Sequence, residues 1–222
     1  MTDATGMIDQ SETARIYDRI APLYDLIDGI YEHAWKRGLR QKLFAHARGR
    51  ILDVGIGTGC NIPFYPDGSE VVGIDMSERM LDRARDRAQE LGRPMTLRPM
   101  NLLSLDFPDA SFDTVSATFV LLCLPDELQE AALRELRRVT RPDGRVLLLD
   151  YRRSRQPGVR LLRQCLSPWL KWAFAATFDA TTERYLAAAG LATLHRRTFM
   201  GDGVSLLVLE PTEAAVAARS AA

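Results

Sequence analysis

Short apolar runs alternate with helical stripes along most of the chain. The stretches between the runs carry apolar residues at three- and four-residue spacing, as amphipathic helices do. The pattern predicts strands over 51–54, 71–74, 95–100, 113–119, 145–151, 192–199 and 204–209. It predicts helices over 77–91 and 182–189, and another that begins at Asp126. This alternation is typical of an α/β domain built on a mainly parallel sheet.

Several residues are predicted to set the ends of these elements. Ser77 and Asp126 have side chains that cap helices well, and Gly92 stops the first of these helices. Leu91 is expected to face inward at the end of that helix. The Pro142–Gly144 stretch predicts a turn, because proline fixes φ and glycine supplies a left-handed position.

Two segments lie outside this alternation. A helical stripe runs from residue 11, is broken at Pro22, and leads to a third helix over about 34–47. The stretch 152–178 has no acidic residue and contains Arg152, Arg153, Trp169 and Trp172. We therefore predict a helical cap over 1–49, a main domain over 50–211 with a helical insertion over 152–180, and a flexible tail over 212–222.

The most informative stretch runs from Arg50 to Asp75. The first strand leads into a loop with glycines at 55, 57 and 59, and the second strand ends on Asp75. Polar residues also mark the ends of strand one, Asp53, and strand three, Asn101. Ligands of open α/β sheets bind beyond the carboxyl ends of the strands, so these side chains predict one pocket wall. Glycines allow close backbone approach, and a carboxylate accepts bonds from two ribose hydroxyls.

Composition excludes several classes of function. Hydrophobic residues make up 46% of the 222 residues and charged residues 26%, within the range of globular proteins. The formal net charge is zero, which gives no global case for nucleic-acid binding. Three scattered cysteines and three scattered histidines form neither a disulfide framework nor a metal-ligand pattern. We expect a reducing, cytoplasmic setting and no metal.

The motif set LDVGIGTG, VVGID, FPDASFD and RPDGRVLLLD resembles that of the class I S-adenosylmethionine-dependent methyltransferases. The loop departs from the nicotinamide fingerprint G-x-G-x-x-G, which needs a glycine at position 60, where this chain has Cys60. The resemblance implies a seven-stranded Rossmann-like sheet whose last strand is antiparallel, and S-adenosyl-L-methionine as cofactor. It also implies the cofactor-binding set Asp53, Gly55, Gly57, Gly59, Asp75, Met76, Asn101, Leu102 and Thr118.

The resemblance assigns a role to each part of this set. The glycines would lie under the methionine part of the cofactor, with Asp53 near its ammonium group. Asp75 would take the ribose hydroxyls, and Met76 would pack on the adenine. Asn101 stands where the family commonly has aspartate, and its carbonyl would accept from the adenine amino group. Thr118 would border the methyl group.

A second resemblance concerns the acceptor. YDRIAPLYDLIDGIYEHAWKR is similar to the N-terminal helices of bacterial phospholipid N-methyltransferases and of ubiquinone/menaquinone C-methyltransferases. It implies that Tyr17 and Tyr24 lie over the cofactor and act in catalysis. The stretch GIGTGCNIPFYP favours the phospholipid group. The expected activity is N-methylation of phosphatidylethanolamine toward phosphatidylcholine.

The basic and aromatic insertion also fits a lipid substrate. Anionic membranes attract basic segments, and tryptophans favour the headgroup level. We expect Arg152, Arg153, Trp169 and Trp172 to meet substrate or membrane, with the protein peripherally associated. A cap over an apolar pocket would also be aromatic, and of the two interpretations we favour the membrane. Two other functions stay open, which are C-methylation of a quinone precursor or other apolar acceptor, and a non-catalytic cofactor-binding module.

Overall fold

The computed structural model describes residues 35–152, 181–200 and 202–212. Within these ranges, seven strands form one sheet in the order β3-β2-β1-β4-β5-β7-β6. The strands are β1 (Ile51–Val54), β2 (Val71–Asp75), β3 (Thr96–Pro99), β4 (Phe112–Thr118), β5 (Thr140–Tyr151), β6 (Leu191–Phe199) and β7 (Val204–Pro211).

Three α-helices pack against this sheet in the described ranges, namely α1 (Arg37–Phe44), α2 (Glu78–Glu90) and α3 (Asp126–Val139). Single 3₁₀ turns occur at Ile62–Phe64, Leu121–Cys123 and Thr182–Tyr185. The predicted helix over 182–189 is therefore shorter than expected. Gly190, with φ of +74°, follows it and turns the chain into β6.

The sheet topology confirms the predicted fold. Strand β1 pairs in parallel with β2 on one side and with β4 on the other, while β7 is antiparallel to β5 and β6. Strand order reverses between β1 and β4, which opens a crevice beyond their carboxyl ends. The glycine loop leaves β1 at this point.

Both faces of the sheet are covered, which explains the apolar run of Val146–Leu149 in the middle of β5. On one face, Leu133 and Leu136 of α3 join the apolar cluster of β4 and β5. On the other, Leu43 and Phe44 of α1 pack into the cluster that contains Leu147. Helix α1, from the predicted N-terminal cap, is thus part of the domain core.

Some predicted element ends are confirmed and others are wrong. Ser77 caps α2 by accepting the Met80 N–H at 3.2 Å, and Gly92 with φ of +62° terminates it. Leu91 is 45% exposed because it lies beyond the last helical residue. Asp126 is the first residue of α3 and not its cap, since Pro125 occupies that position.

The predicted turn at Pro142–Gly144 is also wrong. These residues lie inside β5, where the pairing with β4 shifts from Phe112–Thr140 to Thr114–Arg145. The intervening residues form a bulge. Gly144 is required because a Cβ there would lie 2.9 Å from the Asp113 carbonyl oxygen.

The predicted helices before residue 35 and the insertion from 153 to 180 lie outside the described residues. Among the helices of the described ranges, none is long and apolar enough to cross a membrane. The described residues also hold no group of three or more histidine, cysteine or acidic side chains suited to a metal ion.

Candidate functional site

A cavity of about 160 Å³ lies beyond the carboxyl ends of β1, β2 and β4, at the strand-order reversal. Its wall combines the glycine loop, the end of β2, the segment after β3 and the segment after β4. Most of the predicted cofactor-binding set lines it, namely Gly55, Gly57, Asp75, Met76, Asn101, Leu102 and Thr118. The structure thus brings together residues from four separate parts of the chain.

The three loop glycines serve different purposes. All have positive φ, a conformation that side chains resist. A Cβ on Gly55 would lie 2.4 Å from Val120 Cγ2, and one on Gly59 would lie 2.5 Å from Ile62 Cδ1 and 3.3 Å from the Ala84 backbone. A Cβ on Gly57 would meet only open space. Gly55 and Gly59 therefore allow tight packing, whereas Gly57 keeps the cavity floor clear.

Asp75 is fixed by backbone donors. Its Oδ2 accepts the Gly57 N–H at 2.9 Å and its Oδ1 accepts the Ser77 N–H at 3.0 Å. Each carboxylate oxygen retains a further lone pair for a ligand. Burial raises the pKa of the Asp75 carboxyl, and these N–H bonds oppose that rise. The carboxylate at the tip of β2 is a preorganised acceptor pair facing one cavity.

Met76, Asn101 and Leu102 form the neighbouring wall. Met76 is 36% exposed and lines the cavity, which leaves its side chain available to pack on a ligand ring. The Asn101 Oδ1 accepts the Leu103 N–H at 2.9 Å, so it orders the turn after β3. That bond occupies one of the two acceptor positions that the predicted adenine contact would use.

Asp53 and Gly59 belong to the predicted set but do not line this cavity. The Asp53 side chain is wholly buried and accepts hydrogen bonds from Asn61 Nδ2 at 2.7 Å, Tyr65 Oη at 2.6 Å and Ser116 Oγ at 2.6 Å. Burial raises its pKa, while these three donors oppose the rise. Asp53, on β1, thereby links the segment after the glycine loop to Ser116 of β4.

Arg40 connects this buried network to the cavity. Its guanidinium donates to Asn61 Oδ1 and, at 2.9 Å, to Thr118 Oγ1. Thr118 also accepts from Asn61 Nδ2 at 2.9 Å. Arg40 is buried and yet lines the cavity. The sequence-based set contains Thr118 and misses Arg40 and Asn61.

Lys36 and Phe119 complete the end of the cavity near Arg40. The Lys36 ammonium lies 5.0 Å from the centre of the Phe119 ring, and the Arg40 guanidinium lies 5.3 Å from it. Lys36 is buried on the same helical face as Arg40, four residues away. Two cations therefore stand together at the end of the cavity that Thr118 borders.

Other predicted site residues lie elsewhere. Arg152 does not line this cavity, because its guanidinium faces Glu183 at 3.5 Å beside a smaller cavity at the end of β5. Its predicted substrate contact is not supported by this position. Tyr17, Tyr24, Arg153, Trp169 and Trp172 fall outside the described residues.

The buried network gives a stability prediction. Replacing Tyr65 with phenylalanine removes one of the three donors to Asp53, and hydrogen bonds to charged groups contribute about 1.5–3 kcal/mol. We expect Tyr65→Phe to lower the free energy of unfolding by about 2 kcal/mol in urea titration. The matched control is Tyr185→Phe, whose hydroxyl bonds to the half-exposed Asp126. An equal loss in both variants would contradict a special role for the buried network.

Comparison with known proteins agrees with this geometry. A family model described as a methyltransferase domain matches residues 51–144. A phosphatidylethanolamine N-methyltransferase of Cereibacter sphaeroides is 40% identical over 141 residues, covering 62% of this chain and 67% of that protein. A 2-phytyl-1,4-naphtoquinone methyltransferase of Synechococcus elongatus is 31% identical over 78% of each chain. A demethylmenaquinone methyltransferase of Deinococcus radiodurans is 34% identical over 61% of this chain and 58% of its own length.

Solved structures share the fold at low identity. The 4+2 cyclase SpnF aligns with a TM-score of 0.72 at 18% identity, over 90% of this chain and 94% of its own. Geranyl diphosphate C-methyltransferase from Streptomyces coelicolor, solved with S-adenosyl-L-homocysteine, aligns with a TM-score of 0.68 at 15% identity, over 81% and 80%.

The relatives found by sequence are named as enzymes, which favours catalysis over a non-catalytic cofactor-binding module. The clear cavity floor at Gly57, the acceptor pair of Asp75 and the exposed Met76 fit S-adenosylmethionine. Taken with the cavity and its place in the fold, the comparisons show that this chain belongs to the class I S-adenosylmethionine-dependent methyltransferases.

Proposed function

We propose that the protein N-methylates phosphatidylethanolamine toward phosphatidylcholine at a membrane surface. The observation that carries the proposal is the pair of buried cations, Lys36 and Arg40, at one end of the cavity. The 40% identity to a phosphatidylethanolamine N-methyltransferase supports it. The sequence stretch GIGTGCNIPFYP, which supplies Asn61 and Tyr65 of the buried network, points the same way.

Lys36 and Arg40 place two positive charges on the cavity wall, and such cations bind anionic groups of a ligand. The bound cofactor would supply an electrophilic methyl on a sulfonium, together with one carboxylate. Arg40 is already oriented by Asn61 and Thr118, and its position on the cavity wall suits that carboxylate. Lys36 lies beside Phe119 and suits the phosphate of a phosphoethanolamine headgroup.

An amine attacks only in its neutral form, so the ammonium group of the acceptor must first give its proton to solvent. The protein's remaining task is to hold the amine in line with the methyl and to exclude water. We assign headgroup orientation to Tyr17 and Tyr24, and membrane contact to Arg153, Trp169 and Trp172.

Methyl transfer with a labelled donor tests this function. The purified chain is given methyl-labelled S-adenosylmethionine, vesicles of phosphatidylethanolamine with an anionic lipid, and, in a second reaction, a reduced demethylmenaquinone in the same vesicles. We expect label in lipids that carry methylated ethanolamine headgroups. Label confined to the quinone fraction would overturn the proposal while leaving the methyltransferase assignment intact.

Lys36 gives a sharper prediction. Loss of a charge-assisted bond to phosphate costs about 1.5–3 kcal/mol, so Lys36→Met should raise the KM for phosphatidylethanolamine vesicles by about 10- to 100-fold. The affinity for S-adenosylhomocysteine should change by less than about threefold, because less than 1 kcal/mol is involved. The control is Lys42→Met, an exposed lysine on the same helix. If Lys36→Met lowers the affinity for S-adenosylhomocysteine and leaves the KM for the vesicles unchanged, the assignment of the phosphate to Lys36 is wrong.

C-methylation of a quinone precursor is the second candidate, and one observation favours it specifically. The cavity wall includes the apolar side chains of Met100, Leu124 and Leu128, which suit an aromatic ring. Lys36 would then stabilise a phenolate, the nucleophilic form of such an acceptor. The two quinone methyltransferases with 31% and 34% identity support this reading, and the labelled transfer experiment separates it from the first.

A further inference from the structure

We propose that Asp150 is a positioning residue for the methyl-donor cavity. Its carboxylate holds the Leu121–Cys123 turn in place and thereby fixes the cavity wall from Phe119 to Cys123. The proposal rests on the cavity being the donor site. It adds a role for a residue that lies behind the wall and does not line the cavity.

Asp150 is buried at the end of β5 and is surrounded by backbone donors. Its Oδ2 accepts the Leu122 N–H at 3.0 Å, and its Oδ1 accepts the Tyr151 N–H at 2.8 Å. The Leu121 N–H also bonds to this carboxylate. A buried carboxylate held by backbone donors organises the chain that supplies them, here the turn that follows β4.

The segment held by Asp150 includes a strained residue. Phe119 has φ of +55°, which is uncommon for a bulky side chain and needs support from its surroundings. Its N–H donates to the Leu149 carbonyl at 2.7 Å, and its ring packs 5.3 Å from that of Tyr151. Three consecutive residues of β5, Leu149, Asp150 and Tyr151, thus contact the segment that follows β4.

This segment is cavity wall over much of its length. Phe119, Val120 and Cys123 line the donor cavity, and Val120 is the residue against which Gly55 packs. A shift of the Leu121–Cys123 turn would therefore move one wall of the cavity against the glycine loop. Affinity for the donor should depend on the bonds that Asp150 makes.

The ionised carboxylate offers full acceptors on both oxygens, whereas protonation turns one oxygen into a hydroxyl, which is a weaker acceptor. Protonation therefore weakens the bonds to the backbone N–H groups of Leu121, Leu122 and Tyr151. Burial raises the pKa of Asp150 to about 7, so this change falls within the physiological range. The charged groups beside it are Arg152 and Glu183, which line the same small cavity of about 20 Å³ and face each other at 3.5 Å.

The sign of the effect follows from this pKa. Donor affinity should fall as the pH drops through about 7, because protonation weakens the N–H bonds by which Asp150 holds the wall. Global stability responds in the opposite direction. Since an unfolded aspartate titrates near 3.9, the folded protein holds the proton more tightly, and this group's contribution to stability is lost as pH rises through about 7.

Calorimetric titration with S-adenosylhomocysteine between pH 6 and pH 8 tests the proposal. In the unmodified protein we expect the Kd at pH 6 to exceed that at pH 8 by about fivefold or more, a typical coupling. Asp150→Asn should bind weakly with a flat pH profile. Glu183→Gln, the other carboxylate of the small cavity, should keep the original slope. An unchanged slope in Asp150→Asn overturns the proposal, whereas absence of binding in the unmodified protein would overturn the donor site itself.

Hydrogen exchange in the unmodified protein keeps the test independent of the variant's folding. Peptides that cover residues 119–125 should lose protection below pH 7, after correction for the intrinsic exchange rate, while peptides from α2 should not. Protection of 119–125 that does not change from pH 6 to pH 8 would contradict the role of Asp150.

Discussion

Asp75→Ala is expected to lower the affinity for S-adenosylhomocysteine by about 100-fold or more, the largest effect of a single side chain on donor binding. The variant removes both acceptors for the ribose hydroxyls, and each bond to a charged group contributes about 1.5–3 kcal/mol. It also leaves the Gly57 and Ser77 N–H groups without their acceptor, which loosens the glycine loop. Calorimetric titration at pH 8 measures the effect.

Two companion variants separate ligand contact from loop damage. Asp75→Asn keeps one carbonyl acceptor and should bind with intermediate affinity. Asp67→Asn, at an exposed carboxylate paired with Arg93, should bind like the unmodified protein. Melting temperatures of all three report the cost to the fold. Asp75→Ala with full affinity would show that the ribose lies elsewhere.

Replacing the loop glycines with alanine should affect mainly stability at Gly55 and mainly donor binding at Gly57. Gly55→Ala combines a left-handed φ with a 2.4 Å contact to Val120, so we expect about 2–5 kcal/mol lower stability. Gly57→Ala has the φ cost alone, about 1–2 kcal/mol. Its methyl group projects into open space at the cavity and should weaken donor binding by more than its small stability cost implies.

Gly68→Ala is the matched control for these variants. Gly68 has φ of +75°, a Cβ there meets nothing within 4 Å, and the residue does not line the cavity. It should therefore show the stability loss of Gly57→Ala and the donor affinity of the unmodified protein. Equal donor affinity in Gly57→Ala and Gly68→Ala would contradict a ligand lying on the glycine loop.

The sequence was sufficient to predict the central sheet because local and tertiary signals agree there. Strand β1 is buried along its whole length and three of its four residues are apolar, while Ser77 and Gly92 mark the ends of α2 by their own chemistry. The Pro142–Gly144 bulge is different. Its residue types favour an ordinary turn, and only pairing with β4 draws them into β5. Tertiary contacts overrode local preference at that point.

The sequence-based set of site residues contains neither Lys36 nor Arg40, although their spacing carries a signal. Positions 36, 39, 40, 43 and 44 follow the spacing of one buried helical face, yet Lys36 and Arg40 occupy two of them. Cations inside an apolar stripe differ from those at exposed positions such as Lys42. Their partners could not be predicted, because Phe119 and Thr118 are distant in the chain and meet the helix only in the folded domain.

Asp53 shows that a polar residue near the end of a strand does not always line the cavity at that end. The residue does lie near the end of β1, as predicted, but its side chain points into a pocket of donors made by Asn61, Tyr65 and Ser116. Side chains alternate along a strand, and which face carries the ligand depends on the loop that covers the strand end. The same carboxylate is thus engaged by three donors of the protein and does not line the cavity.

The most direct test of this account is a crystal structure of the chain with S-adenosylhomocysteine. We expect the ribose hydroxyls within hydrogen-bonding distance of Asp75, the adenine beside Met76 and Leu102, and the thioether sulfur at the end of the cavity near Thr118 and Phe119. The carboxylate should lie at Arg40, with Lys36 left to the acceptor. A ligand bound outside this cavity, or one in the reversed orientation with its adenine at Lys36, would contradict the account.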